Sequence, residues 1–116
     1  EDIPTVGPDT QVAEAIVEMT RKRLGMTVIV DESGQALGIF TDGDLRRTLD
    51  HGHNPQSTRI SEVMTRGGKS IGSGALAAEA VQLMQEHRIQ ALLVLDDNDH
   101  LEGVLNFQDL LAAGVV

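Results

Sequence analysis

Apolar residues along the chain follow two alternating rhythms, and the alternation is written twice. Val12, Ala15, Ile16 and Met19 recur at helical spacing, which predicts an amphipathic helix with one core-facing stripe, capped by Asp9 or Thr10. Met26-Thr27-Val28-Ile29-Val30 is a short continuous run with β-branched members, the pattern of a strand buried on both faces. Asp31-Glu32-Ser33-Gly34 is turn chemistry, and Leu37-Gly38-Ile39-Phe40 then predicts the return strand of a hairpin. A second helix opens across residues 42–44.

The same signals return further on. Ala77, Ala80, Val81 and Met84 form the second helical stripe, with Ser73 as its cap. Ala91-Leu92-Leu93-Val94-Leu95, the turn Asp96-Asp97-Asn98-Asp99 and the strand Leu101-Glu102-Gly103-Val104-Leu105 follow, and a helix opens across residues 107–109. A gapless shift of 65 positions lays residues 5–47 on 70–112 with ten identities in 43 pairs, among them Gly38/Gly103, Asp44/Asp109 and Leu45/Leu110. With a short extended piece at Val6 and at Ile71, the order is β-α-β-β-α twice. Each copy is too small to bury its own apolar faces. The expected architecture is therefore α+β, two tandem repeats packed about a pseudo-twofold axis.

The expected division gives 1–57 to the first copy with its linker, whose polar Gly/Pro-containing part is 50–58, and 58–116 to the second. Residues 60–65 lead into the second copy, but nothing precedes the first at the same offset. A first copy shortened at its N-terminus, cut from a longer protein, is the expectation.

Composition narrows the function. Eighteen acidic residues against nine basic ones leave a net charge of −9, which repels phosphate backbones, and no basic stripe interleaved with aromatics offsets it. Nucleic acid is excluded as a partner. No apolar run reaches the roughly 18–20 residues of a membrane span. With no cysteine there is neither disulfide nor thiolate metal site, which fits a cytoplasmic protein. His51 and His53 lie in the linker and His87 and His100 far from it, without a helical pair, so no metal site is expected. No Ser-His-Asp order on a strand–turn–helix appears, and the chain is not expected to be an enzyme. Phe40 and Phe107 are the two aromatic residues, placed to fill the core or to meet near the repeat axis. The four methionines read as core filling.

The motif that carries chemistry is Gly38-Ile39-Phe40-Thr41-Asp42-Gly43-Asp44-Leu45, with Gly103-Val104-Leu105-Asn106-Phe107-Gln108-Asp109-Leu110 as its counterpart. A hydroxyl or amide and, three residues on, a carboxylate stand where a buried strand hands over to a helix. Unpaired N–H groups and a partial positive charge at that point suit a phosphate. The carboxylate can accept both hydroxyls of a vicinal diol, and the glycine lets a ligand lie close to the backbone. The same spacing is also a capping box, Thr41 at N-cap and Asp44 at N3, and the residues alone leave both readings open. Arg46, Arg47, Arg66, Lys69, His87 and Arg88 fall near element ends, where they can meet a phosphate or a sugar carboxylate or else remain solvated. Thr65-Arg66-Gly67-Gly68-Lys69 reads as an anion nest or as an ordinary loop.

A tandem β-α-β-β-α repeat with Gly-h-h-Thr-x-x-Asp-Leu after the second hairpin strand resembles a CBS domain pair, or Bateman module, over nearly the whole chain. The resemblance implies two clefts for adenosyl or related nucleotides, with Thr41 and Asp44 meeting phosphate and ribose hydroxyls. Asn106 stands where Thr is usual, so equal occupancy of the two clefts is not implied. Residues 20–30, 38–47, 64–68 and 110–116 are similar to the C-terminal half of bacterial arabinose-5-phosphate isomerases, in which a sugar isomerase (SIS) domain precedes the CBS pair on the route to the lipopolysaccharide sugar Kdo.

That resemblance implies a regulatory module partnered by its own SIS domain, in a homodimer of CBS pairs within a homo-oligomer. No cofactor is required, and the candidate ligands are CMP-Kdo, AMP and ATP. The candidate ligand-binding residues are Thr41, Asp44, Asn106 and Asp109, Gly38 and Gly103, Met26 and Thr27, and the cations Arg46, Arg66, Lys69, His87 and Arg88. A purely structural module, holding subunits together with both motifs as helix caps, is the rival expectation.

Overall fold

The structure, a computed structural model, describes residues 5–22, 25–67, 69–72, 74–89, 91–107 and 111. Two compact units divide the chain between Gly67 and Gly68. In the first unit β1 (Thr5–Val6) is followed by α1 (Val12–Lys22), β2 (Met26–Val30), β3 (Ala36–Thr41), α2 (Asp42–Asp50), α3 (Ile60–Val63) and β4 (Thr65–Arg66). Its sheet runs β1-β2-β3-β4, with β1 parallel to β2 and the remaining pairs antiparallel. The second unit holds β5 (Ser70–Gly72), α4 (Ala77–His87), β6 (Ala91–Leu95) and β7 (Leu101–Asn106) in a sheet ordered β5-β6-β7. The α+β class follows directly from these elements. The helix expected across 107–109, Ser73 and Asp109 lie wholly or partly outside the described residues.

The repeat survives as hydrogen-bond register. Val6 pairs with Ile29 and Ile71 with Val94; Met26 pairs with Thr41 and Ala91 with Asn106. Both hairpins also carry an irregularity at the same step, Ile29/Val30 and Val94/Leu95. The turns match as well: Asp31 N–H donates to Gln35 O at 3.0 Å and Asp96 N–H to His100 O at 2.9 Å. Gly34 and Asp99 take positive φ at the corresponding position, 90° and 64°.

Each turn is held by an aspartate. Asp31 Oδ1 accepts from the Ser33 hydroxyl at 2.7 Å and from the Ser33 and Gln35 amides at 2.9 and 3.0 Å. Asp96 Oδ1 accepts from the His100 and Asn98 amides, both at 2.9 Å. These donors favour the charged form, led by the Ser33 hydroxyl for Asp31 and by the His100 amide for Asp96, and both carboxyls lie below the usual aspartate value of 3.8. A depressed folded value stabilises the fold above the unfolded value and loses that contribution as pH falls through the folded one. Thermal unfolding from pH 7 to 2 should show the melting temperature falling below about pH 4. In the Asp31→Asn/Asp96→Asn double variant, whose amide oxygens still accept, the acid fall should be shallower; equal slopes would contradict this account of the turns.

The first core gathers Val12, Ala15 and Met19 of α1, Ile29 of β2, Phe40 of β3 and Ile60 of α3, with Ile16, Leu37, Leu45, Val63 and Met64 packed on it. The second gathers Ala80, Val81, Met84 and Leu92, with Phe107 among the side chains packed on it. Both phenylalanines therefore serve a core. Ala77, expected on the second stripe, is exposed at the start of α4. The first amides of α1 go to main-chain carbonyls: Val12 N–H to Thr58 O and Ala13 N–H to Pro55 O, both at 2.9 Å. The expected linker thus closes the N-terminus of α1, while the carboxylate of Asp9 faces Arg59 at 3.6 Å. At α4 the N-cap is Leu76, whose amide donates to Glu79 Oε1 at 3.4 Å.

Spatial packing runs across the expected 57/58 repeat boundary. Residues 58–67 belong with the first unit, because Ile60 fills its core and β4 extends its sheet, with Gly38 opposite Arg66 and Ile39 opposite Thr65.

Candidate functional site

The mouth of α2 is built where β3 stops. Thr41 leaves the strand in an extended conformation (φ −114°, ψ 174°) and becomes the N-cap, so chain direction changes without an intervening loop. Its hydroxyl accepts from the Asp44 amide at 3.3 Å. In return Asp44 Oδ2 accepts from the Thr41 amide at 2.9 Å and from the Thr41 hydroxyl at 3.1 Å. The capping box is formed.

Asp44 does more than cap. Its Oδ1 accepts from the Thr65 hydroxyl at 2.8 Å and from the Arg47 guanidinium, and the residue is 4% exposed. Arg47, one helical step of three from Asp44, makes this ion pair; Arg46 is exposed on the same helix. With Asp42 and Asp44 both in its first turn, α2 already has carboxylates against its partial positive end. A phosphate brought here would therefore have to be met by the arginines, whereas hydroxyl donors suit the acids directly.

A hollow of about 300 Å³ beside this turn is lined by Ile16, Met19 and Thr20 of α1, by Gly25, and by Asp42 and Leu45 of α2. That volume is at the low end of small-molecule sites.

The glycine before the motif has a different neighbour from the one expected. A Cβ on Gly38 would lie 2.5 Å from the Thr65 carbonyl oxygen and 3.0 Å from Met64 Sδ, so the clearance beside it is filled by β4. At Gly103 a Cβ would meet nothing within 4 Å among the described residues. The other first-unit candidates gather nearby: Met26 is buried opposite Thr41, Thr27 is wholly buried opposite Phe40, and exposed Arg66 lies opposite Gly38. In the second unit Asn106 ends β7 opposite Ala91, and Lys69, His87 and Arg88 are exposed. Arg88 closes α4 in a left-handed conformation at φ 55°. The expected nest over 65–69 meets a competing arrangement, since Thr65 and Arg66 are strand residues and the Gly67 amide donates to Leu37 O at 3.0 Å; Gly68 lies outside the described residues. Among the described residues no group of three or more histidines, aspartates or glutamates is placed to hold a metal, and no helix is long and apolar enough to cross a membrane.

Sequence reasoning passed over Thr65 as a partner of Asp44. It lies 21 residues away, and no local period marks a contact made across a sheet edge. The Arg47–Asp44 pair was passed over too, although spacing of three on a helix brings the two side chains together.

A doubled β-α-β-β unit with a Thr–Asp capping box at its strand-to-helix turn defines the class. Residues 1–51 and 60–115 match the CBS domain family, and the chain belongs to that family as a CBS domain pair. CBS domains are regulatory rather than catalytic, and the non-catalytic expectation rests on that membership. Arabinose 5-phosphate isomerase KdsD of Pseudomonas aeruginosa is 50% identical over all 116 residues, which make up 36% of its length; the chain spans about a third of such relatives. Among solved structures, a protein with CBS domains from Burkholderia ambifaria is 30% identical with a TM-score of 0.87, covering 98% of this chain and 83% of that one. A CBS domain protein from Pyrobaculum aerophilum complexed with AMP has a TM-score of 0.87 at 17% identity, covering 95% and 84%, a likeness of fold.

Proposed function

We propose that this CBS pair is the regulatory ligand-binding part of an arabinose 5-phosphate isomerase, sensing a nucleotide or nucleotide-sugar on behalf of a SIS domain in the same protein. The parentage is supported by the 50% identity to KdsD along the whole chain, and nucleotide binding by the AMP complex of a protein of the same fold. One observation carries the site. Asp44 already accepts from two separate hydroxyls, those of Thr41 and Thr65, and that is the recognition a ribose diol would receive.

In this reading the ligand is CMP-Kdo, the activated end product of the Kdo route to lipopolysaccharide. Its ribose is held by Asp44 or Asp109, and its phosphate and sugar carboxylate by arginine and lysine side chains, which supply the positive charge that the acidic first turn of α2 does not. The module works in the cytoplasm as a homodimer of pairs within a homo-oligomer.

Calorimetry with CMP-Kdo, CMP, AMP and ATP tests it. CMP-Kdo should bind most tightly, and Asp44→Ala should weaken binding at least tenfold, the loss of one or more charge-assisted hydrogen bonds. Tight AMP binding without heat from CMP-Kdo would replace the ligand by an adenine nucleotide. The formed capping box favours a second reading, a structural module without a ligand. On that reading Asp44→Ala costs about 1–2 kcal/mol of stability, and none of the four compounds gives heat.

A further inference from the structure

We infer that Thr65 and Arg47 occupy the Asp44 oxygen that a ligand's hydroxyls require, so that ligand binding and the Thr65–Asp44 hydrogen bond exclude one another. This rests on the reading of Asp44 as the ribose-binding carboxylate.

A carboxylate offers about four acceptor positions, and Asp44 fills them internally. Oδ2 takes the amide and hydroxyl of Thr41; Oδ1 takes the Thr65 hydroxyl and the Arg47 guanidinium. A buried acceptor with four donors has no capacity for two more, and something must leave. The Oδ2 donors belong to the strand-to-helix turn itself, and the Thr41 amide cannot withdraw without unwinding the cap. The Oδ1 donors are on side chains open to water: the Arg47 side chain is 63% exposed, and Thr65 is exposed on β4. Both can be rehydrated when displaced, so Oδ1 is the oxygen that exchanges.

The exchange acts on the backbone. Strand β4 has two residues, paired to β3 through Gly38↔Arg66 and Ile39↔Thr65 and followed by the Gly67 amide on Leu37 O. The Thr65 hydroxyl adds the tie from this strand to α2. Gly67 is also the last residue of the first unit. Occupancy at Asp44 therefore loosens the segment that leaves the first unit, which gives the sensor a mechanical output.

Thr65→Val removes the hydroxyl and keeps the strand-forming shape, whereas Thr65→Ser keeps the hydroxyl. AMP and CMP-Kdo should each be titrated into both variants, the unsubstituted chain and Asp44→Ala. Competition predicts roughly threefold to tenfold tighter binding by Thr65→Val, the return of one hydrogen bond to the ligand, with Thr65→Ser near the unsubstituted value. It also predicts faster amide exchange at 65–67 in the saturated unsubstituted chain. Unchanged or weaker binding by Thr65→Val overturns the competition; if Asp44→Ala still abolishes binding, the ribose reading survives that result. Binding that persists in Asp44→Ala, or absence of binding by every form, overturns both.

Discussion

Ile60→Ala should destabilise the first unit by about 2–5 kcal/mol, the range for truncating a fully buried isoleucine, and leave the second unit protected. Ile60 is completely buried in a core with Val12, Ala15, Met19, Ile29 and Phe40, although its place in the repeat reads as a lead-in to the second copy. Its amide also donates to Thr10 O at 2.7 Å, so the side chain anchors a segment whose backbone seals the entry to α1. Native-state hydrogen exchange separates the units. Amides of α1, β2 and β3 should lose protection while those of α4, β6 and β7 keep it. Loss confined to the second unit would return residues 58–67 to that copy.

Gly38→Ala and Gly103→Ala, at equivalent repeat positions, should part company. At Gly38 the new methyl would lie 2.5 Å from a main-chain oxygen and 3.3 Å from the Arg66 Cα. Backbone must yield, and the cost should be about 1–3 kcal/mol, with β4 detaching before the rest of the sheet. At Gly103 the methyl meets nothing within 4 Å among the described residues, and the change should stay within about 0.5 kcal/mol. Urea midpoints of the two variants measure the contrast. Equal shifts would show that the Gly38–β4 contact is not what requires glycine.

Both results bear on what the chain discloses about itself. The β-α-β-β order and the two hairpins were legible, because helical and strand periods are local and the repeat states them twice. The strands over 26–30 and 91–95 were readable to the residue, since short runs of aliphatic and β-branched residues that each stop at an aspartate turn, Asp31 and Asp96, admit little else. Strand β4 and the carbonyls of Pro55 and Thr58 over α1 left no such mark. Two exposed residues, Thr65 and Arg66, become a strand only because Gly38 lets their backbone approach. That same unforeseen strand brings the Thr65 hydroxyl to Asp44. At the site, the spacing from Thr41 to Asp44 allowed a cap or a ligand contact. The fold realises the cap and, with Thr65 and Arg47, surrounds the acid with the donors a diol would otherwise supply.

Crystals of the chain soaked with CMP-Kdo and, separately, with AMP test the central claim most directly. The account predicts ribose density with a hydroxyl within hydrogen-bonding distance of Asp44 Oδ1 and the Thr65 hydroxyl turned away. Nucleotide bound elsewhere, with Asp44 still holding Thr41, Thr65 and Arg47, would contradict it.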